Sequence, residues 1–157
     1  MYNMKRTKVL FVCVGNICRS PMAKYVFRDL VKREGLEEKI IIDSAATTNE
    51  EIGSDMHRGT KEELKKHGIP FDRHCAKKMT IDDYNKYDYV IGMDDIVMSG
   101  IFRIIDNDDK KKVYKLLDFT DKNGNIADPW YTGDFKKTYE DVWDGCTSLL
   151  THILMHE

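Results

Sequence analysis

The sequence predicts an α/β fold in three layers, a parallel four-stranded sheet with helices on both faces. Three observations carry it. Short apolar, β-branched runs alternate with segments of helical apolar spacing along the chain. No repeats, low-complexity runs or Gly/Ser linkers interrupt that alternation. Strands separated by helices then close into a parallel sheet through right-handed crossovers.

The elements follow in order. Lys8 to Val14 is a continuous apolar run of the kind buried in parallel sheets. A turn containing Gly15 and Asn16 leads to Ser20 and Pro21, with Pro21 expected at the first helical position. Ala23, Val26, Phe27 and Leu30 keep helical spacing until Gly35 ends the element. Lys39 to Ala46 reads as the second strand, and a helix from about Met56 to His67 stops at Gly68 and Pro70. Tyr87 to Met93 is the third strand, Asp95 to Ile105 a helix, and Asp106 to Lys112 a solvated charged turn. Val113 to Leu117 is the fourth strand. Last comes a helix whose Phe135, Tyr139, Val142, Trp143, Cys146, Leu149, Leu150, Ile153 and Leu154 form one wide apolar stripe. Trp143 and Cys146 are therefore read as core. Ligands in such folds sit at the carboxyl ends of the strands, which directs attention to the end of the first one.

Composition narrows the function. A chain of 157 residues fits a single domain spanning 1–157, large enough to bury a core without staples. With 25 Lys+Arg against 27 Asp+Glu, the net charge of −2 lacks the basic excess that nucleic-acid binding usually needs. No stretch approaches the ~18 consecutive apolar residues of a membrane span. Met1 to Lys8 is polar and basic, but the apolar Val9 to Val14 after it is too short for a signal-peptide core. The expectation is a cytoplasmic protein with no membrane partner. Cys13, Cys18, Cys75 and Cys146 are too sparse for a disulfide framework, and the five histidines show no ligand spacing, so no metal is expected.

The loop after the first strand reads Cys13-Val14-Gly15-Asn16-Ile17-Cys18-Arg19-Ser20. A short loop entering a helix N-terminus turns several backbone N–H groups inward and makes an anion cradle. Gly15 lets the chain curl, and Asn16 tolerates positive φ. The planar fork of Arg19 can grip two phosphate oxygens. Cys13, at the strand's end, points into this cradle. The dipoles that attract phosphate also favour a thiolate, and reactive thiols in such surroundings titrate at ~3.5–7.5 instead of ~8.5. A bare Cys-x5-Arg spacing is common by chance; the strand–loop–helix setting is what makes it a catalytic candidate.

The run Val12 to Ala23 resembles the phosphate loop of the low-molecular-weight protein tyrosine phosphatases. Asp43-Ser-Ala-Ala-Thr47 is similar to that family's second-strand loop, and Leu64-Lys-Lys-His-Gly-Ile69 to the end of its second helix. Tyr87-Asp-Tyr-Val-Ile-Gly-Met-Asp94 resembles its third strand, and Asp128-Pro-Trp130 its acid loop. The resemblance covers nearly the whole chain and implies strand order 2-1-3-4. It implies a phosphatase that hydrolyses phosphotyrosine in a protein or peptide, and small aryl phosphates, releasing inorganic phosphate as a monomer without a cofactor.

By that likeness Cys13 is the nucleophile that forms a cysteinyl-phosphate. Arg19 and the amides of Val14, Gly15, Asn16, Ile17 and Cys18 hold the phosphoryl oxygens. Ser20 donates to the sulfur and aids its departure; as a residue read alone it is a helix N-cap. Asp128, oriented by Pro129, protonates the leaving phenolate and later activates water. Asn16, Ser44 and His67 match positions that brace the loop, although a residue like His67 also suits a helix C-terminus on its own account. Cys18 matches a second thiol able to pair reversibly with Cys13 on oxidation; it could equally pack under the loop.

Two departures bear on specificity. Glu50 stands about where the family often carries an aromatic wall, and with Glu51 it should repel acidic flanking residues. Trp130 aligns with the other wall. Ile17 is bulky where family branches acting on phosphoarginine tend to have Thr, which favours an aromatic ester. The alternatives are a thiol-dependent arsenate reductase, a protein-arginine phosphatase, and a non-catalytic phosphate-binding module. The first would need further cysteines near Cys75, and the last needs neither Cys13 nor Asp128.

Overall fold

A computed structural model describes residues 6–156. Of the basic stretch Met1–Lys8, residues 1–5 lie outside the described residues. The chain runs β1 (Thr7–Cys13), α1 (Arg19–Arg33), β2 (Ile40–Ala46), α2 (Arg58–Lys66), α3 (Ile81–Lys86), β3 (Tyr89–Gly92) and α4 (Asp95–Ile105). It continues through β4 (Val113–Lys115), a 3₁₀ turn (Leu116–Phe119), α5 (Pro129–Thr132) and α6 (Phe135–Met155). The four strands are parallel in the order β2-β1-β3-β4. This is the three-layer αβα fold expected, with α1, α2 and α6 packed on one another and α3 on α4.

The order follows from burial. Val9, Leu10, Phe11 and Val12 of β1 are fully buried, which only a central strand covered on both faces allows. The chain leaves β1 for β2 on one side and returns past it to β3 on the other. The carboxyl end of β1 is thus the switch point where such sheets open a crevice. Gly145 lets α6 come down onto the 3₁₀ turn, since a Cβ there would lie 2.4 Å from Leu116 Cγ. Among the described residues, no helix is long and apolar enough to cross a membrane.

Several boundaries differ from expectation for local reasons. Pro21 is the third helical residue, because α1 already begins at Arg19; Pro is tolerated there since the first turn's N–H groups are unpaired anyway. Ser20 therefore lies inside the helix and is not its N-cap. β4 stops at Lys115, where Asp118 Oδ2 accepts from the Lys115 N–H at 3.2 Å and turns the chain. The α3 helix was unforeseen: only Tyr84 of its six residues is buried, and its nucleus is a Thr80/Asp83 capping box. The Asp106–Lys112 turn is also more structured than a solvated run, with Asp108 accepting from Tyr84 Oη and from the N–H groups of Lys112 and Val113. In α6, Val142, Cys146 and Leu149 are fully buried, but Leu154 is 46% exposed. Ile153 in the same turn is buried and His152 meets Tyr89 of β3, so Leu154, rotated ~100° from Ile153, falls outside the apolar stripe.

Candidate active site

The crevice at the end of β1 is lined by Cys13, Val14, Gly15, Ile17, Cys18, Arg19, Glu50, Glu51, Asp128, Trp130 and Tyr131. The fold brings these together from the loop after β1, the loop after β2 and the segment before α6. Thr47 N–H donates to Cys13 O at 2.9 Å, and Thr48 N–H to Val14 O at 3.2 Å. The second-strand loop is thereby fastened to the first.

Cys13 Sγ accepts from the Asn16 N–H at 3.3 Å and lies 3.0 Å from Ser20 Oγ. Ser20 accepts from Asn16 Nδ2 at 2.7 Å, and its own hydrogen has two acceptors in reach, the sulfur at 3.0 Å and Ala45 O at 3.4 Å. Asn16 has φ +59, as the loop's curl requires. Its fully buried side chain also donates to Ser44 Oγ at 3.0 Å, and its Oδ1 accepts from Lys77 N–H at 3.1 Å. Asn16 and Ser20 thus lie beneath the loop and do not line the crevice.

His67 is not part of this brace. Its imidazole stacks on Tyr139 at 3.7 Å and lies 3.0 Å from Glu63 Oε2, one turn back on α2. The carbonyl of Asn16 is held instead by His74, whose Nε2–H donates to it at 2.7 Å. Burial holds His74 below its ordinary pKa, so the ring is neutral with its proton on the donating nitrogen. Asp55 supports it from behind, accepting from His74 N–H at 2.9 Å and from Lys61 Nζ at 2.6 Å. Despite burial, these donors with Met56 N–H pull the Asp55 carboxyl down to about 2. Nothing in the spacing of His74 marks it out; it lies 58 residues from its partner.

Arg19 is 1% exposed. Its guanidinium donates to Asp94 Oδ2 at 2.6 Å and to Ile126 O at 2.9 Å through one nitrogen, and to Asp128 Oδ2 at 3.4 Å through the other. Burial alone would loosen its proton, but Cys13, Asp94 and Asp128 outweigh that and raise its pKa above the ordinary value. The charge is permanent. Asp94 also caps α4 through the Val97 N–H at 2.8 Å, so a strand-end residue fixes the guanidinium and starts a helix together. Asp128 caps α5 through the Trp130 N–H at 3.1 Å. One of its oxygens is thereby turned to its own helix and the other to Arg19.

The two thiols of the loop differ. Cys18 is buried, and burial, with Cys13 and Asp128 nearby, pushes it up to about 12; it stays a neutral thiol. Ile17 packs with Cys18 and Ala76 in a small cluster covered by Phe135. Glu50 is exposed on the rim and Glu51 packs on the loop, its Cγ 3.4 Å from where a Gly15 Cβ would stand. Trp130 and Tyr131 are 57% and 84% exposed at the opposite rim. The arrangement can take an anion on Arg19 and the loop amides, place Cys13 beneath it, and hold a carboxylic acid at its edge.

Residues 8–156 match the family described as low molecular weight phosphotyrosine protein phosphatase. The chain is 40% identical over 147 residues to the low molecular weight protein-tyrosine-phosphatase YfkJ of Bacillus subtilis, across 92% of this chain and 94% of that one. Against the crystal structure of that protein the TM-score is 0.95, with 37% identity and 99% of both chains covered. PtpA of Staphylococcus aureus, also named a low molecular weight protein-tyrosine-phosphatase, is 35% identical across 93% of each chain. The crystal structure of SP-PTP, a low molecular weight protein tyrosine phosphatase from Streptococcus pyogenes, gives a TM-score of 0.83 at 38% identity, covering 96% and 98%.

Proposed function

The chain belongs to the low molecular weight phosphotyrosine protein phosphatase family, and from that premise we propose that it hydrolyses phosphotyrosine at the β1 crevice with Cys13 as nucleophile. The observation that carries the assignment is the placement of Cys13 Sγ where the loop supplies an N–H at 3.3 Å and the first turn of α1 a hydroxyl at 3.0 Å, beside the buried Arg19.

In the first step the Cys13 thiolate attacks phosphorus as the bond to the phenol oxygen breaks. Arg19 and the loop amides stabilise the charge on the three equatorial oxygens. Asp128, in its acid form, gives its proton to the departing phenolate, a contribution of ~10²–10⁴. In the second step Asp128 takes a proton from water, whose oxygen displaces the sulfur and releases inorganic phosphate. Ser20 donates to the sulfur as it leaves. Trp130 supplies the aromatic wall for the phenyl ring, and Ile17, filling the loop's floor, suits that ring better than a guanidinium. The substrate is a phosphoprotein; the enzyme acts as a cytoplasmic monomer, one domain over 1–157.

Arsenate reduction is not favoured. Its relay would fall to the exposed Cys75 or to Cys146, which is fully buried in the core and whose thiol burial pushes well above its ordinary value. The test is turnover of phosphotyrosine, phosphoserine and phosphoarginine side by side, for wild type and Cys13→Ser. Phosphotyrosine turnover that vanishes in Cys13→Ser, with phosphate still bound, is expected. Substantial residual turnover in that variant overturns the mechanism.

A further inference from the structure

We propose that His57 is a positioning residue for this reaction, setting the aromatic wall of the crevice by holding Trp130 at a fixed angle to the phosphate loop. The role presupposes the aryl-phosphate activity proposed above. His57 meets both sides of the crevice. Its N–H donates to Ile17 O at 2.9 Å, fastening the backbone to the phosphate loop. Its imidazole meets the Trp130 ring edge to face, with centroids 5.6 Å apart and planes at 84°. The imidazole is itself fixed on two sides. Nδ1 accepts from the Gly59 N–H at 2.9 Å, which caps α2, and the ring stacks on Phe135 at 5.0 Å and 23°. Phe135 in turn covers Ile17 and Cys18 under the loop.

The fit is tight. A Cβ on Gly59 would lie 2.5 Å from the Phe135 ring, so the start of α2 accepts that ring only because residue 59 is glycine. Trp130 stands on a four-residue helix and is 57% exposed. So short a helix does not hold an indole in place. The imidazole supplies the missing constraint, and Asp128, which caps the same short helix by accepting from the Trp130 N–H, stands next to it.

The cap and the ring can be separated. His57→Asn keeps an acceptor for the Gly59 N–H but has no ring, whereas His57→Phe keeps a ring and loses the acceptor. With the full chain, KM and kcat are measured on phosphotyrosine, and inorganic phosphate is measured as a competitive inhibitor. Loss of one edge-to-face pair is expected to raise KM about 2–12-fold in His57→Asn. Phosphate inhibition should stay at the wild-type value, and His57→Phe should restore KM. In a Trp130→Ala background, His57→Asn should add nothing further to KM, which keeps the role testable if either single variant is poorly folded. A wild-type KM in His57→Asn, a His57→Phe variant as impaired as His57→Asn, or phosphate inhibition weakening in step with KM would each overturn the role. No phosphotyrosine turnover by wild type would instead refute the activity itself.

Discussion

Replacing His74 by Ala should damage catalysis without touching any residue that lines the crevice. The change removes the N–H that meets Asn16 O at 2.7 Å and leaves that buried carbonyl unpaired. An orphaned buried acceptor costs about 1–3 kcal/mol. Because Asn16 sits at φ +59 and its own N–H faces Cys13 Sγ, the cost falls on the loop conformation that presents the sulfur. At ~1.4 kcal/mol per decade, kcat/KM for an aryl phosphate should drop about 5–150-fold. His74→Gln restores a donor and should recover most of it. His67→Ala is the matched control: it removes a ring stacked on Tyr139 at 3.7 Å and should cost about 0.5–1.5 kcal/mol of stability, with kcat/KM unchanged. Burial depresses the pKa of folded His74, so the unfolded chain binds that proton more readily. Stability from this group is therefore full above the unfolded histidine value of ~6.5 and declines as pH falls below it toward the lower folded value. The acid-side loss measured by denaturant unfolding should be smaller in His74→Gln. An unimpaired His74→Ala, or a larger activity loss in His67→Ala, would refute the reasoning.

Three further outcomes are expected. Asp128→Ala should slow esters of ordinary phenols by ~10²–10⁴ and esters of strongly acidic phenols far less; equal losses in steady-state assays would remove Asp128 as the acid. Glu50→Trp should raise kcat/KM on phosphotyrosine peptides by adding the second aromatic wall, and no change would mean that this rim lies away from substrate. Asp94→Ala should destabilise the fold by on the order of 3 kcal/mol, because it strips the 2.6 Å partner from a buried guanidinium; a denaturant midpoint within error of wild type would contradict that.

What was legible in the sequence was what is local. β1 is apolar throughout and the cradle closes within eight residues, so Cys13, Asn16, Arg19 and Ser20 declare their surroundings by spacing. The partners that hold them were not legible. Asp94 and His74 reach their targets across 75 and 58 residues, a separation that only the packed sheet brings together. The His67 reading shows why. His67 lies in the run that resembles the family's second helix, but it is the C-cap of α2, where Glu63 one turn back and the ring of Tyr139 claim it. His74 lies in a stretch outside any helix or strand, and its ring reaches the Asn16 carbonyl. The likeness points to the histidine inside the matched run, whereas the histidine that holds the loop lies outside that run and is brought to Asn16 only by the fold.

The two cysteines of the loop show how direction sorts identical groups. Cys13 and Cys18 are both buried, at 3% and 4% exposure, so access alone does not separate them. Cys13 ends a strand whose last side chain faces the inward-curling amides, and an N–H and a hydroxyl converge on its sulfur. Cys18 immediately precedes α1 and makes no side-chain cap, and its sulfur sits with Ile17 and Ala76 under the ring of Phe135. Donors converge on one sulfur while burial keeps the other a neutral thiol, five residues apart. An oxidised link between them would have to begin at Cys13, since the Cys18 thiol at about 12 is almost entirely protonated at neutral pH and attacks only after the first sulfur has been oxidised. Cys18→Ser should then leave the rate of peroxide inactivation unchanged and lower the share of activity that thiol recovers, as Cys13 without a partner passes from sulfenic to sulfinic acid under excess peroxide. A slower inactivation would place the first oxidation on the wrong sulfur.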